Sequence, residues 1–416
     1  MVKQNKILNY ELFCTCCKKE IDERKVHTKC PVCGCAINLT YDYDLILKRL
    51  NKYDLKSAPI SSQKYLDFLP ISDFRKVITL QEGGTPLYKI DKLAKKYKLK
   101  NLYLKNEGAN PTGVFKDRGS FVEITKAIEA GAKVLIIASS GNMAASAAAY
   151  ASKAGLRIIV LVPEETPIGK LSQIISYGAL VIKIRGDYTK CVEIVDKLAE
   201  NHGYYQVGDY VFRREGQKTL AFEIIDQLGF KAPDYVVVPT GAGTHIAGLW
   251  KGFTEYKKLK LIDSLPKMIA VQPEGCPVLL NAFQKRSRTY KALKEVKTLC
   301  TAVAVRDPMD GDLALKAVYE SEGAVLGLSD KEALDAQKLL SGSEGIFSEP
   351  SSSLSIGVIP VMVKKKIISR DDTVVCIATG NGLKDPMAPL QNIKSPRTFE
   401  ADYRVIGRYL KTFKKL

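Results

Sequence analysis

Short apolar runs alternate with segments of helical periodicity along the middle of the chain. Val134–Ala138 is unbroken Val-Leu-Ile-Ile-Ala, and a helical pattern follows over residues 142–154. Another apolar run covers 157–162, then a helix 169–177, a strand 180–184 and a helix 188–201. Residues 235–238 precede a helix over 243–256, and 374–378 reads as a last strand. Strands that alternate with helices predict βαβ units and parallel sheets, hence an α/β fold. Runs apolar at consecutive positions fit strands covered on both faces. The chain shows no internal repeat and no low-complexity tract.

No apolar run reaches the roughly 18 residues of a membrane span, so no membrane partner is expected. Residues 1–10 are polar and lack an apolar core, so no signal peptide is expected either. With 416 residues, 46% of them hydrophobic and 26% charged, the composition is globular and allows two or three domains. It excludes a disordered, collagenous or coiled-coil chain.

Lys and Arg number 63 against 45 Asp and Glu, a formal charge of +18. Such a surplus attracts anions, among them nucleic acid and phosphorylated metabolites. The basic residues are spread over 95–100, 257–260, 364–366 and 411–415, without interleaved aromatics. A nucleic-acid binder concentrates charge on one face, so no nucleic-acid partner is expected.

Six of the ten cysteines precede Ala36, and Cys191, Cys276, Cys300 and Cys376 stand alone. A secreted disulfide scaffold spreads paired cysteines through a short chain, so this distribution points to a reducing, cytoplasmic setting and a local metal site. Cys14-Thr-Cys-Cys17 and Cys30-Pro-Val-Cys33 are two CxxC pairs twelve residues apart. Each pair can clasp one side of a tetrahedral ion, which makes Cys14, Cys17, Cys30 and Cys33 the candidate ligands of a closed, structural zinc site. Gly34 suits the turn after the second pair, and Cys16 and Cys35 are left over as spare thiols. A zinc ribbon on a basic chain also permits a nucleic-acid-binding reading, but it accounts for only a small part of the length.

The stretch Asn106-Glu-Gly-Ala-Asn-Pro-Thr-Gly-Val-Phe-Lys-Asp-Arg-Gly119 reads as a loop entering a helix. Lys116 follows the apolar pair Val114-Phe115, where desolvation can free an amine to act as a nucleophile. Ser139-Ser-Gly-Asn-Met-Ala-Ala-Ser146 and Thr240-Gly-Ala-Gly-Thr-His245 lie at strand-to-helix turns, where free N–H groups suit an anionic ligand. Thr379-Gly-Asn-Gly-Leu-Lys-Asp-Pro386 closes another strand.

With these segments in order, the chain from about Glu82 to Pro386 resembles the fold-type II pyridoxal phosphate enzymes (tryptophan synthase β-like), and among them the threonine synthase family. Glu82-Gly-Gly-Thr-Pro-Leu87, the Lys116 segment, Glu215-Gly-Gln-Lys-Thr219, Glu344-Gly-Ile-Phe347, Glu349-Pro350 and Gly382-Leu-Lys-Asp-Pro386 carry the match. The N-terminal cysteine ribbon resembles one in many threonine synthases.

The resemblance implies pyridoxal 5'-phosphate, with Lys116 joined to its aldehyde and then shuttling protons. It implies Asn142 at the ring hydroxyl, the backbone of Gly241, Ala242, Gly243, Thr244 and His245 at the phosphate, and Thr379 at the pyridine nitrogen. Ser139 and Ser140 are implied for the substrate carboxylate, with Met143, Arg213 and Lys218 in substrate-reading segments. The implied substrate is a small phosphorylated amino acid, O-phosphohomoserine, and homodimers are usual among the relatives.

Departures from the family pattern concentrate in the substrate-reading pieces. Tyr210-Val-Phe-Arg213 lacks the family's Asn-Pro pair, Met143 replaces a threonine, and Asn381 replaces a histidine. Val303-Ala-Val-Arg306 stands where Ile-Arg-Ile-Gly is usual. A paralogue with another substrate, such as cysteate synthase or a serine or threonine dehydratase, would differ in the same places. The expected organisation is a zinc-ribbon-like extension over 1–45, a large domain from 46–116 and 213–390, a small mobile domain over 117–212, and a basic tail over 391–416.

Overall fold

A computed structural model of the protein describes residues 10–23, 28–50, 52–208, 210–390 and 396–412. The expectation of a polar leader-free start rests largely on residues 1–9, which lie outside the described residues, as do 391–395 and 413–416 of the basic tail.

Twelve strands are described. An antiparallel hairpin pairs β1 (Tyr10–Cys14) with β2 (Ile37–Tyr41). Next come β3 (Leu87–Lys89), β4 (Asn101–Asn106), β5 (Val134–Ala138), β6 (Arg157–Pro163), β7 (Leu180–Ile184) and β8 (Tyr205–Gln206). The last four are β9 (Tyr235–Pro239), β10 (Lys267–Pro273), β11 (Ala324–Leu328) and β12 (Thr373–Ala378). A six-stranded sheet runs β11-β10-β9-β12-β4-β3, and a four-stranded sheet runs β7-β6-β5-β8. Every pairing in these two sheets is parallel except β3 with β4.

Sequence dictates these sheets directly. β9 holds three successive valines and β12 reads Thr-Val-Val-Cys-Ile-Ala, β-branched runs that stack well on a pleated surface. Val236, Val237, Val238, Val374 and Val375 are all fully buried, because helices cover both faces of the sheet. Each such side chain contributes about 1.5–3 kcal/mol on burial. Cys276, Cys300 and Cys376 are buried too, filling space as small apolar groups. After β5, the helix Asn142–Lys153 is dominated by alanine, whose small side chain lets neighbouring backbones come close.

The segment over 45–83 contributes to the core. Tyr65, Phe68, Leu69 and Ile71 are buried in the main cluster, and Phe68 packs 5.2 Å from Phe222 and 5.6 Å from Tyr256. No helix among the described residues is long and apolar enough to cross a membrane.

Candidate active site

Three neighbouring strands of the large sheet, β9, β12 and β4, end in the loops that carry the glycine turn, Thr379 and the Lys116 segment. Ligands of open α/β sheets bind outside such carboxyl ends. β5 of the smaller sheet ends in Ser139-Ser140-Gly141, and Asn142 starts the next helix. Cross-links draw these loops together. The Phe115 N–H donates to Thr379 O at 2.9 Å, and Asn381 N–H to Gly113 O at 2.9 Å. The Phe115 ring lies 4.0 Å from the His245 ring, which ties the lysine segment to the glycine turn. Asn142 Nδ2 donates to Glu349 Oε2 at 3.0 Å, which joins the small sheet's loop to the large unit.

Lys116 is the first residue of the helix Lys116–Glu129, half-buried, with Nζ 5.0 Å from the Phe115 ring centre. Its placement is enforced by its neighbours. Asp117 accepts from Thr112 N at 2.7 Å, from Thr112 Oγ1 at 2.6 Å and from Ser146 Oγ at 2.6 Å. That buried carboxyl, whose pKa burial pushes up against these bonds, staples the loop to the first helical turn and to the helix after β5.

The glycine turn is shaped for close approach. Gly243 has φ +87°, and a Cβ there would sit 2.5 Å from the Asp310 carbonyl oxygen; one on Gly241 would sit 2.9 Å from the Val303 Cα. The turn leads into the helix Thr244–Lys258, whose first N–H groups stand at the positive end of the helix dipole, where an anion is favoured. Thr244 Oγ1 is buried with no hydrogen-bond partner. A phosphate at this turn supplies the missing partner, so the residues fit pyridoxal phosphate. Thr379 is 3% exposed, and its hydroxyl is 2.8 Å from Ser352 Oγ, an uncharged pair suited to a ring nitrogen left unprotonated. Ser139, Ser140 and Met143 are half-buried at the same mouth.

Two of the expected substrate residues lie elsewhere. Lys218 is fully buried, with Nζ 2.6 Å from Glu215 Oε2 and 2.8 Å from Glu255 Oε2. It is a core cation, because removing an ammonium from water is tolerated only when carboxylates surround it. Arg213 is also fully buried and pairs with Glu123. It donates to Gly208 O at 3.0 Å, Ser120 Oγ at 3.2 Å and Lys116 O at 3.2 Å. Three of these acceptors, Lys116 O, Ser120 Oγ and Glu123, belong to the helix that starts with Lys116, so Arg213 holds that helix.

Sequence reasoning gave no role to Glu349, Ser352, Asp117 or Lys384. Glu349 is buried and bonded to Asn142, and burial pushes its carboxyl up. Lys384 Nζ bonds Gln173 Oε1 at 2.5 Å and Thr112 O at 3.3 Å, spanning the two sheet units. Burial lowers its pKa, opposed by Glu349 and Asp117. All but Ser352 lie in the motif stretches Glu349-Pro350, Phe-Lys-Asp-Arg and Gly-Leu-Lys-Asp-Pro, which were the available signal.

The four candidate metal ligands converge. The sulfur atoms of Cys14, Cys17, Cys30 and Cys33 all lie within 4.8 Å of one another. Four thiols at that spacing fit a tetrahedral zinc ion. Burial raises the Cys14 pKa, but the Cys17 and Cys16 amides and the Cys33 thiol bring it down to about 6; the Lys19 amide lowers that of Cys17, but the Cys14 thiol, burial and the other two thiols raise it to about 11, so the thiols share protons in the absence of a cation. Cys16 and Cys35, expected as spare thiols, are instead joined to each other as a disulfide. The two knuckles bring them side by side.

Residues 78–380 match the family described as pyridoxal-phosphate dependent enzyme. The threonine synthase of Methanocaldococcus jannaschii is 42% identical over 96% of this chain and 98% of its own length. That of Methanosarcina acetivorans is 40% identical over 95% and 98%. Among solved structures, the processed threonine deaminase isoform 2 of Solanum lycopersicum superposes with a TM-score of 0.64 at 19% identity, covering 90% of this chain and 93% of that one. A maize serine racemase gives 0.64 at 20% identity over 79% and 93%. These two likenesses bear on the fold alone.

Proposed function

The chain belongs to the threonine synthases, pyridoxal-phosphate-dependent lyases of fold type II, and we propose that it converts O-phospho-L-homoserine and water to L-threonine and phosphate. The observation that carries this reading is the convergence of the Lys116 helix start, the glycine turn with its orphaned Thr244 hydroxyl, and Thr379 at the ends of three adjacent strands.

Pyridoxal phosphate, when bound, takes up the electron pair left by deprotonation of the substrate. The turn over 241–245 holds its phosphate, and Thr379 meets its ring nitrogen without forcing a proton onto it. Asn142, oriented by Glu349, serves its ring hydroxyl. Lys116 Nζ takes the α proton and later a β proton; phosphate leaves from the γ carbon, and water adds at the β carbon. Ser139, Ser140 and the amides after them hold the substrate carboxylate. The unit over 117–212 closes on the large unit of 46–116 and 213–390 and excludes water while the carbanion exists. The reading carries with it a cytoplasmic location and a homodimer, which sedimentation would reveal. Cys14, Cys17, Cys30 and Cys33 would hold zinc, with no open coordination position and hence no part in the reaction.

The test is one incubation of cofactor-loaded protein with O-phosphohomoserine, with release of phosphate and identification of the amino acid formed. Threonine supports the reading. A loaded protein that releases no phosphate contradicts it and turns attention to a β-replacement on O-phosphoserine. One observation favours a substrate without a phosphate, as in a serine or threonine dehydratase: Arg213, in the segment that reads the substrate phosphate in the resembling family, is already paired with Glu123.

A further inference from the structure

The cysteine hairpin is not a passive appendage: it bonds Arg214 and Lys251 of the large unit, and Arg214 leads on to the glycine turn. In the antiparallel pair Cys14 faces Ile37 and Leu12 faces Leu39. The carbonyls of Ile37 and Leu39 therefore share the edge of β2 that β1 leaves unpaired. Both are capped by buried or half-buried cations. Arg214 Nη2 donates to Ile37 O, and Lys251 Nζ to Leu39 O at 2.6 Å. Arg214 continues inward. Its Nη1 binds Asp310 Oδ1 at 2.7 Å, and both side chains are only 2% exposed. The Asp310 N–H in turn donates to Ala242 O at 2.9 Å, and the Asp310 carbonyl is the atom that a Cβ on Gly243 would strike. At the other end, Ala36 O accepts from Thr15 N at 3.0 Å and from Thr15 Oγ1 at 2.9 Å, which fixes the residue before Ile37 against the first cysteine knuckle.

We infer that Arg214 is a positioning residue through which the cysteine hairpin sets the shape of the cofactor-phosphate turn. An unbroken set of hydrogen bonds runs from the knuckle through Ile37, Arg214 and Asp310 to Ala242. A guanidinium suits the task because its planar fork serves a carbonyl and a carboxylate at once. Loosening the hairpin frees Arg214 to move, and Asp310 with it. The turn then no longer presents its N–H groups in one arrangement, and the cofactor phosphate is held less tightly. The inference rests on the proposal that this turn binds the phosphate.

The test compares retention of pyridoxal phosphate with retention of pyridoxal, which lacks the phosphate, on the full-length holoenzyme. The cofactor absorbance is followed after dilution into a cofactor trap. A neutral double variant, Arg214→Gln with Asp310→Asn, avoids leaving either charge buried alone. It is expected to release pyridoxal phosphate about 10- to 100-fold faster, with pyridoxal little changed and Arg214→Lys partly rescued. In wild-type protein, opening the hairpin with a chelator and a thiol reductant is expected to give a similar acceleration, and to add nothing in the double variant. Unchanged retention in the folded double variant overturns the inference. So does an equal, additive effect of hairpin opening in both proteins. Should the double variant fold poorly, the hairpin-opening arm on wild-type protein decides alone, and no acceleration there overturns the inference. Thr244→Val separates the underlying reading: if it leaves the retention of pyridoxal phosphate and of pyridoxal both unchanged, the turn does not bind the phosphate.

Discussion

Two lysines sit in two family motifs, and the structure treats them in opposite ways. Lys116 opens a helix at the mouth between the sheet units, half-buried beside Phe115, with its neighbours Asp117 and Thr112 bonded to fix the turn. Lys218 lies in a charged seam with Glu215, Lys251, Glu255 and the Tyr41 ring, with no exposed surface. Around Lys116, Asp117 ties Thr112 and Ser146 together by hydrogen bonds, and in the glycine turn linked to it the Thr244 hydroxyl lacks a partner. Around Lys218, charge meets charge: Tyr41 OH donates to Glu215 at 2.7 Å and Tyr43 OH to Glu255 at 3.1 Å. A motif thus marks a place the fold depends on, and only the surroundings show whether that dependence is chemistry or scaffold.

Substitutions should separate the two regions, and the largest effect belongs to Lys116. Lys116→Ala is expected to lower turnover by more than about 10^4-fold, since both the covalent attachment and the proton transfers go with the amine. Its unfolding midpoint should barely move. Lys218→Ala should do the reverse and cost about 3–5 kcal/mol, because Glu215 and Glu255 are left buried beside a gap. Urea unfolding reads that loss, and a normal midpoint with a raised KM would place Lys218 in substrate binding after all. Gly243→Ala should cost about 1–3 kcal/mol through its φ of +87° and the Asp310 carbonyl at 2.5 Å, and should show first as weaker cofactor retention.

The smallest effect is on pH dependence. Burial pushes the Glu215 carboxyl up, but Lys218 and Lys251 outweigh it and bring the pKa from its ordinary 4.5 to about 2. A depressed carboxylate stabilises the fold fully above about 4.5, and the contribution disappears as pH falls toward about 2. Glu215→Gln should flatten that part of an acid-unfolding curve, and an unchanged slope would mean other carboxylates set it.

The sheets were legible because strands buried on both faces must be apolar at every position. Val134–Ala138 and the run at 235–238 therefore stand out, and the structure has β5 and β9 there. The gathering of the two CxxC pairs into one site followed from spacing, and their four sulfurs do converge. The part that the segment over 45–83 plays in the core was not legible, because its apolar residues Tyr65, Phe68, Leu69 and Ile71 follow no fixed period. Lys218 and Arg213 were misread for a different reason. Their partners Glu255 and Glu123 lie 37 and 90 residues away, so the pairing that neutralises them is invisible to local pattern. Glu215, three residues before Lys218, was the one local hint, as an ion pair at helical spacing.

Reducing the cofactor-loaded protein with borohydride and mapping the labelled peptide tests the central claim most directly. The account predicts the label on Lys116 alone, with Lys218 and Lys384 unmodified. Label on either of those lysines, or an undiminished cofactor absorbance in Lys116→Ala, would contradict it.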